Sequence, residues 1–214
     1  MEMFIKMNSA HKLVFLKRIE NNCYFYKKKE KMKKLILLIA FVLATSTYGQ
    51  YFELTSHGFK SDQDKTKDFV VLDFPEKKQS ELYMEVLDVL NKKYVSANNV
   101  LSKVESQSIT INARGKNIRR TSSHSFENDY TIVLAFKDGK MKIAAPVVNL
   151  TSYAAGHPQE MHLTYGGLSL DGSHFGIYKK SGKVKYKKAV EDLNQFANEF
   201  VLAVLDDLKE NDTW

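Results

Sequence analysis

The sequence predicts an α+β domain: an antiparallel sheet of about five strands with two helices on one face, and a glycine-rich insertion ahead of the C-terminal helix. Three observations carry this. Leu82, Val86, Val89, Leu90 and Tyr94 recur at helical spacing, and so does the stripe Val190, Leu193, Ala197, Phe200, Val201, Val204, Leu205 and Leu208. Between them lie β-branched and alternating runs. Asp138-Gly139 joins two of those runs and reads as a tight hairpin, because glycine tolerates the positive φ of a type I′ turn.

In chain order, YFELT (51–55) reads as a short strand and SDQDKTKD (61–68) as a polar turn. DFVVLDF (68–74) is a strand by its content, ended by Pro75. Ser80 is the expected N-cap of a helix over 80–94, with Glu81 favourable in its first turn. Four antiparallel strands are expected at 99–105, 108–114, 130–137 and 140–148. The second alternates cleanly, with Ile109, Ile111 and Ala113 on one face and Thr110, Asn112 and Arg114 on the other.

Residues 150–184 hold six of the ten glycines, from Gly156 to Gly182, and read as an irregular excursion with short strands near 161–165 and 175–178. The final helix is expected over 186–208. Helices gathered on one face of an antiparallel sheet leave the other face wet and polar. FVVL (69–72) and IVLAF (132–136), however, are apolar on both faces. Either residues 150–184 fold back over that second face, which is the expectation, or a partner covers it.

Ahead of this domain, MKKLILLIAFVLATSTYGQ (32–50) has the form of a secretory leader. Lys33 and Lys34 supply charge, 35–44 is apolar, and Thr47 and Gly49 fit the cleavage pockets. The apolar run is about half the ~20 residues a membrane-spanning helix needs. Cleavage near Gly49/Gln50 and a periplasmic or secreted product, with no transmembrane anchor, are therefore expected. Residues 1–31 show no sustained period and read as an over-long extension upstream of the true start at Met32.

This resets the charge. The whole chain has 32 basic and 25 acidic residues, but 1–49 hold ten and three of them, leaving 22 of each in 50–214. A neutral domain gives no footprint for nucleic acid. The lone cysteine, Cys23, lies upstream, so residues 50–214 have no disulfide, thiol nucleophile or cysteine metal site.

The ordered set Ser80-Glu81-Leu82-Tyr83, Ile109-Thr110-Ile111 and Lys137-Asp138-Gly139-Lys140 resembles the bacterial domain-of-unknown-function family 4468, which is common in Bacteroidetes. The resemblance covers 51–148 and touches GIYKKSGKVK (176–185). It implies a TATA-binding-protein-like fold and no activity, since fold does not carry function.

Few residues suggest chemistry. His157, Glu160 and His162, with Asp171 and His174 downstream, are zinc-type donors. Their spacing is not that of a His-Glu-x-x-His helix, and a polar surface loop explains them as well. Asp62, Asp64, Thr66, Asp68 and Asp73 faintly resemble a calcium loop but have Lys67 where glycine is needed. Arg114, Lys116, Arg119 and Arg120 form a basic cluster suited to an anion. Ser122, Ser123, His124 and Ser125 lack a nucleophile elbow.

The reading is an exported, non-enzymatic binding or interaction module of the cell envelope, with no cofactor. Its partner would be an envelope protein or small ligand on the sheet face near Thr110, Asn112, Thr131, Val133 and Ala135. The alternative is a small metal-dependent hydrolase using the 157–174 loop, led by His157, Glu160 and His162.

Overall fold

A computed structural model describes residues 50–154, 156–167 and 172–211. The leader, its cleavage site and Asp171 lie outside the described residues. The elements are β1 (Phe52–Thr55), β2 (Gly58–Ser61), β3 (Phe69–Asp73), α1 (Gln79–Lys93), α2 (Ala97–Val100), β4 (Leu101–Val104), β5 (Ser108–Arg119), β6 (Ser125–Lys137), β7 (Lys140–Ala144), β8 (Val147–Ala154), β9 (His157–Thr164), β10 (His174–Tyr178) and α3 (Lys187–Asn211).

The α+β architecture stands, with a larger sheet than expected. Among the described residues it has eight strands and is mixed: β10-β9-β8-β6-β5-β4 in order, with β7 also on β6 and β3 on β7. Every pairing is antiparallel except β9 with β10.

β6 organises the sheet. One edge pairs along its length with β5. The other is shared by β7, which holds Leu134 to Lys137, and β8, which holds Glu127 to Thr131. Leu134 faces Ile143 while Thr131 faces Val147, so two residues of β6 stand opposite three, 144–146. This is a β-bulge. It contains Pro146, which has no N–H to give to a ladder. A one-residue slip exchanges the two faces of a strand. The sequence slips with it: the inward residues are Met141 and Ile143 before the bulge, Val148 and Leu150 after.

β5 repeats the device, with Lys116 and Asn117 facing Glu127 alone. Its inward residues pass from Ile109 and Ile111 to Ile118. Gly115 sits at this bend, where a Cβ would come within 3.0 Å of Asn128 Nδ2 and 3.3 Å of the Phe196 ring.

The inward face of β6 carries Phe126, Tyr130, Ile132, Leu134 and Phe136, all buried. α1 meets it through Tyr83 against Phe136, ring centroids 5.5 Å apart, and α3 through Phe196 against Tyr130 at 4.8 Å. Both expected helices are thus present on one face. α1 starts one residue before Ser80: Lys78 is its N-cap, and the Glu81 carboxylate accepts from the Lys78 N–H at 3.0 Å. The Gln79 N–H donates to Asp138 at 2.9 Å, so the Asp138-Gly139 turn also places a carboxylate at the helix N-terminus. Gly139 has φ +68° but Asp138 is not at positive φ, so the hairpin is present without the expected type I′ turn, and only its second central residue needs glycine's freedom.

The fold-back of 150–184 over the second face is not observed. That segment and the residues before it make β8, β9 and β10, which widen the sheet sideways. The sequence does not display this because the bulge at 144–146 interrupts the alternation that would have marked β8. Among the described residues, no helix is long and apolar enough to cross a membrane.

The β1–β2 hairpin is fastened to α3 by two asparagines. Asn198 Oδ1 accepts from the Tyr51 and Phe52 N–H groups at 2.6 and 3.0 Å, its Nδ2 donates to the Phe52 carbonyl at 2.9 Å, and Asn194 Oδ1 accepts from the Leu54 N–H at 2.7 Å. Asn198→Ala leaves two backbone donors unpaired beside buried Phe52 and should cost about 2 kcal/mol. Gln195→Ala, on the exposed side of the same helix, should stay within about 0.5 kcal/mol. Urea unfolding of the two variants checks this.

Candidate functional site

The outward face of the sheet can be read row by row from the strand register. Val104, Ser108, Ala135, Lys142 and Val71 form one row across β4-β5-β6-β7-β3. Ser102, Thr110 and Val133 form the next, followed by Asn112, Thr131 and Val147, then Arg114, Asp129 and Asn149. A last row runs Glu127, Thr151, Glu160 and His174 across β6-β8-β9-β10. All five residues expected to form a contact surface, Thr110, Asn112, Thr131, Val133 and Ala135, therefore lie on one face.

They are half-buried or exposed, as a single-layered face requires. Thr131 Oγ1 donates to Asn112 Oδ1 at 2.7 Å across the strands. Val71, Val104, Val147 and Tyr153 are exposed at 45, 53, 71 and 77 %. Arg114 is held by Asp129 and Glu127, each at 2.8 Å.

At the β9–β10 end of this face, Glu160, His162 and His174 converge. His162 Nε2 is 3.2 Å from His174 Nδ1 and 3.4 Å from Glu160 Oε2, and His174 Nδ1 is 3.8 Å from the same oxygen. The Tyr165 ring stacks against both imidazoles, at 5.8 Å and 22° from His162 and 5.1 Å and 21° from His174. Of the three metal candidates put forward from the sequence, Glu160 and His162 are brought together. His157 is not: it is an odd number of residues from both along an extended strand, so it points to the opposite face. His174 takes the third place. The eleven residues between the histidines contain no helical or alternating spacing that would pair them. Only the parallel register, His174 on Glu160, does so.

Several of the other sequence candidates are engaged in local contacts. Asp64 accepts from the Thr66 hydroxyl at 2.6 Å and the Thr66 N–H at 3.1 Å, and pairs with Lys67. These partners hold its carboxyl down at about 2. Lys65 bonds Asp62 and Glu53. The would-be calcium loop is thus closed by its own cations. Arg120 lies over the Phe175 ring at 4.1 Å. His124 packs edge-on against Phe126 at 5.0 Å, and its carbonyl accepts from Arg120 and Thr121 in the β5–β6 turn.

A cleft of about 620 Å³ lies between α3 and the β5 bulge, beside Tyr94, Arg119, Tyr130, Asp192 and Phe196. Several of its polar groups satisfy one another. The Tyr94 and Tyr130 hydroxyls bond at 2.9 Å, and burial pushes both above the ordinary tyrosine range. Asp192 accepts from the Arg119 guanidinium and, at 2.8 Å, from the Arg119 N–H.

No family model matches the chain, and no curated protein matches it. Two solved structures are similar to it. One is a DUF4468 family protein from Bacteroides ovatus ATCC 8483, 12 % identical, with TM-score 0.47, covering 65 % of this chain and 84 % of that one. The other is a TBP-like protein from Parabacteroides distasonis ATCC 8503, 11 % identical, with TM-score 0.45, covering 66 % and 90 %. They bear the family and fold names that the ordered motifs of 51–148 resemble.

The Arg119–Asp192 pair ties β5 to α3. Burial works to raise the Asp192 carboxyl, but the side-chain and backbone bonds from Arg119 outweigh it and hold it below the usual range. A depressed folded value means stability that is present above the unfolded value, about 3.9, and is lost as pH falls through the folded one. Arg119 is half-exposed, so Asp192→Asn should cost only about 1 kcal/mol at pH 7. The difference from the parent should shrink steadily below about pH 4. Urea unfolding at pH 7 and at pH 3 reads both.

Proposed function

We propose that the chain is an exported interaction module of the cell envelope, and that its outward sheet face receives a protein partner. The observation that carries this reading is the course of β8, β9 and β10. They enlarge the sheet where they could have covered it, which leaves a broad single-layered face set with small and apolar side chains: Val133, Ala135, Val71, Val104 and Val147. Exposed apolar residues gathered on one face are a mark of interaction surfaces. Arg114, Glu127 and Asp129 give that surface a charged margin able to fix orientation. The leader at 32–49 supports the envelope setting. The hydrolase alternative draws its support only from the convergence of Glu160, His162 and His174.

A photo-reactive residue placed at Val71 and activated in living cells tests the reading. A discrete adduct is expected from Val71 and none from Gln195 on α3. Val133→Asp should abolish that adduct while leaving the thermal midpoint of the purified protein unchanged. An adduct equal from both positions, or one indifferent to Val133→Asp, would contradict the proposal.

A further inference from the structure

We infer that Glu160, His162 and His174 form a binding site for one divalent ion of the zinc class, with a fourth coordination position open to solvent. The inference stands apart from the sheet-face proposal, since neither requires the other.

The separations carry it. Ligand atoms about 2.0–2.2 Å from a tetrahedral zinc lie about 3.3–3.6 Å from one another. The three atoms here are 3.2, 3.4 and 3.8 Å apart, and the circle through three such points has a radius of about 2.0 Å. One point is therefore at bonding distance from all three without any movement of the backbone. Two imidazoles and a carboxylate form a donor set suited to zinc and its neighbours. Calcium and magnesium require six or more oxygens.

The backbone explains why the three meet. Glu160 and His162 are two residues apart on β9 and share a face. β10 runs parallel beside it and sets His174 next to Glu160 and Gly176 next to His162. A Cβ at Gly176 would come within 2.6 Å of the Tyr165 N and 3.3 Å of the Tyr165 Cβ, so the glycine admits Tyr165 beside the two rings. Tyr165, stacked on both rings, fixes their planes. A site held by packed strands and a stacked ring is organised before the ion arrives.

The side chains are 38–49 % exposed, so the ion would keep a face toward water. Three protein ligands with one open position are the arrangement of zinc sites that exchange a water or bind an external group. His174 and Tyr165 also border a cleft of about 520 Å³ lined by Lys179, Lys180 and Lys185. Those ammonium groups would favour an anion, such as a carboxylate or phosphate, as the fourth ligand.

The rival account is a hydrogen-bonded cluster in which one imidazole donates to the other and no ion binds. The test is a zinc chloride titration by calorimetry, with elemental analysis, on the full coding sequence expressed without a histidine tag. One zinc per chain is expected. His162→Ala and His174→Ala should each weaken it by at least about 100-fold, since even the partners of metal ligands are worth 10–100-fold. Binding by His157→Ala should be unchanged. Cobalt(II) should give the intense visible absorption of a four-coordinate centre in the parent and lose it in both histidine variants. Absence of stoichiometric zinc, zinc that survives both histidine variants, or equal loss in His157→Ala would each overturn the inference. Should a variant fail to fold, the parent's stoichiometry and cobalt spectrum decide the question.

Discussion

The structure depends on how β6 divides one of its edges between two strands. A thirteen-residue strand is long enough to hold β7 against one half and β8 against the other. The chain can pass from one to the other only if the added residue at 144–146 is matched by a change of inward parity. Met141 and Ile143 before it, and Val148 and Leu150 after it, supply that change. Without the bulge, the apolar residues of β8 would point outward and nothing would dock β9 and β10. With it, β3 continues the sheet from β7 and β9 continues it from β8. The sheet forks, and both branches keep their apolar side chains toward α1 and α3.

The two surfaces proposed to act follow from this division. Because β8, β9 and β10 are spent on widening the sheet, the face around Val133 keeps only its own side chains among the described residues. Because β10 returns parallel to β9, His174 reaches the row that already holds Glu160. The open face and the histidine cluster are thus two ends of one surface, generated by one topological choice. The opposite face is dedicated to packing. Two polar pairs there, Tyr94 with Tyr130 and Asp192 with Arg119, fasten the helices to the sheet.

Much of this was legible in the residues. The helical spacing of Leu82 to Leu90 and of Leu193 to Leu208 located both long helices, and Asp138-Gly139 located the hairpin. Clean alternation identified the first part of β5, and all five residues assigned from it and from β6 to the contact surface share a face. What failed, failed where periodicity is locally broken. The bulge at 116–117 ended the reading of β5 at Arg114, so the second part of β5 and the first part of β6 passed for a loop. The bulge at Pro146 hid β8. The partnership of His162 with His174 depends on a parallel register between strands separated by a glycine-rich connection, and no local pattern encodes that. His157, nearer in sequence, is excluded by the two-residue period of the strand it shares with Glu160 and His162.

Among the described residues the sheet has one face with no second layer over it, and thiol accessibility reads this directly. Cys23 is the only cysteine, so a Cys23→Ser background carries no competing thiol in the domain. Val133→Cys, at the middle of the outward face, should react with a thiol reagent in the native protein. Leu134→Cys, the next residue along the same strand and fully buried, should react only on unfolding. Protection of residue 133 equal to that of residue 134 would mean that something covers the face, and would contradict the account.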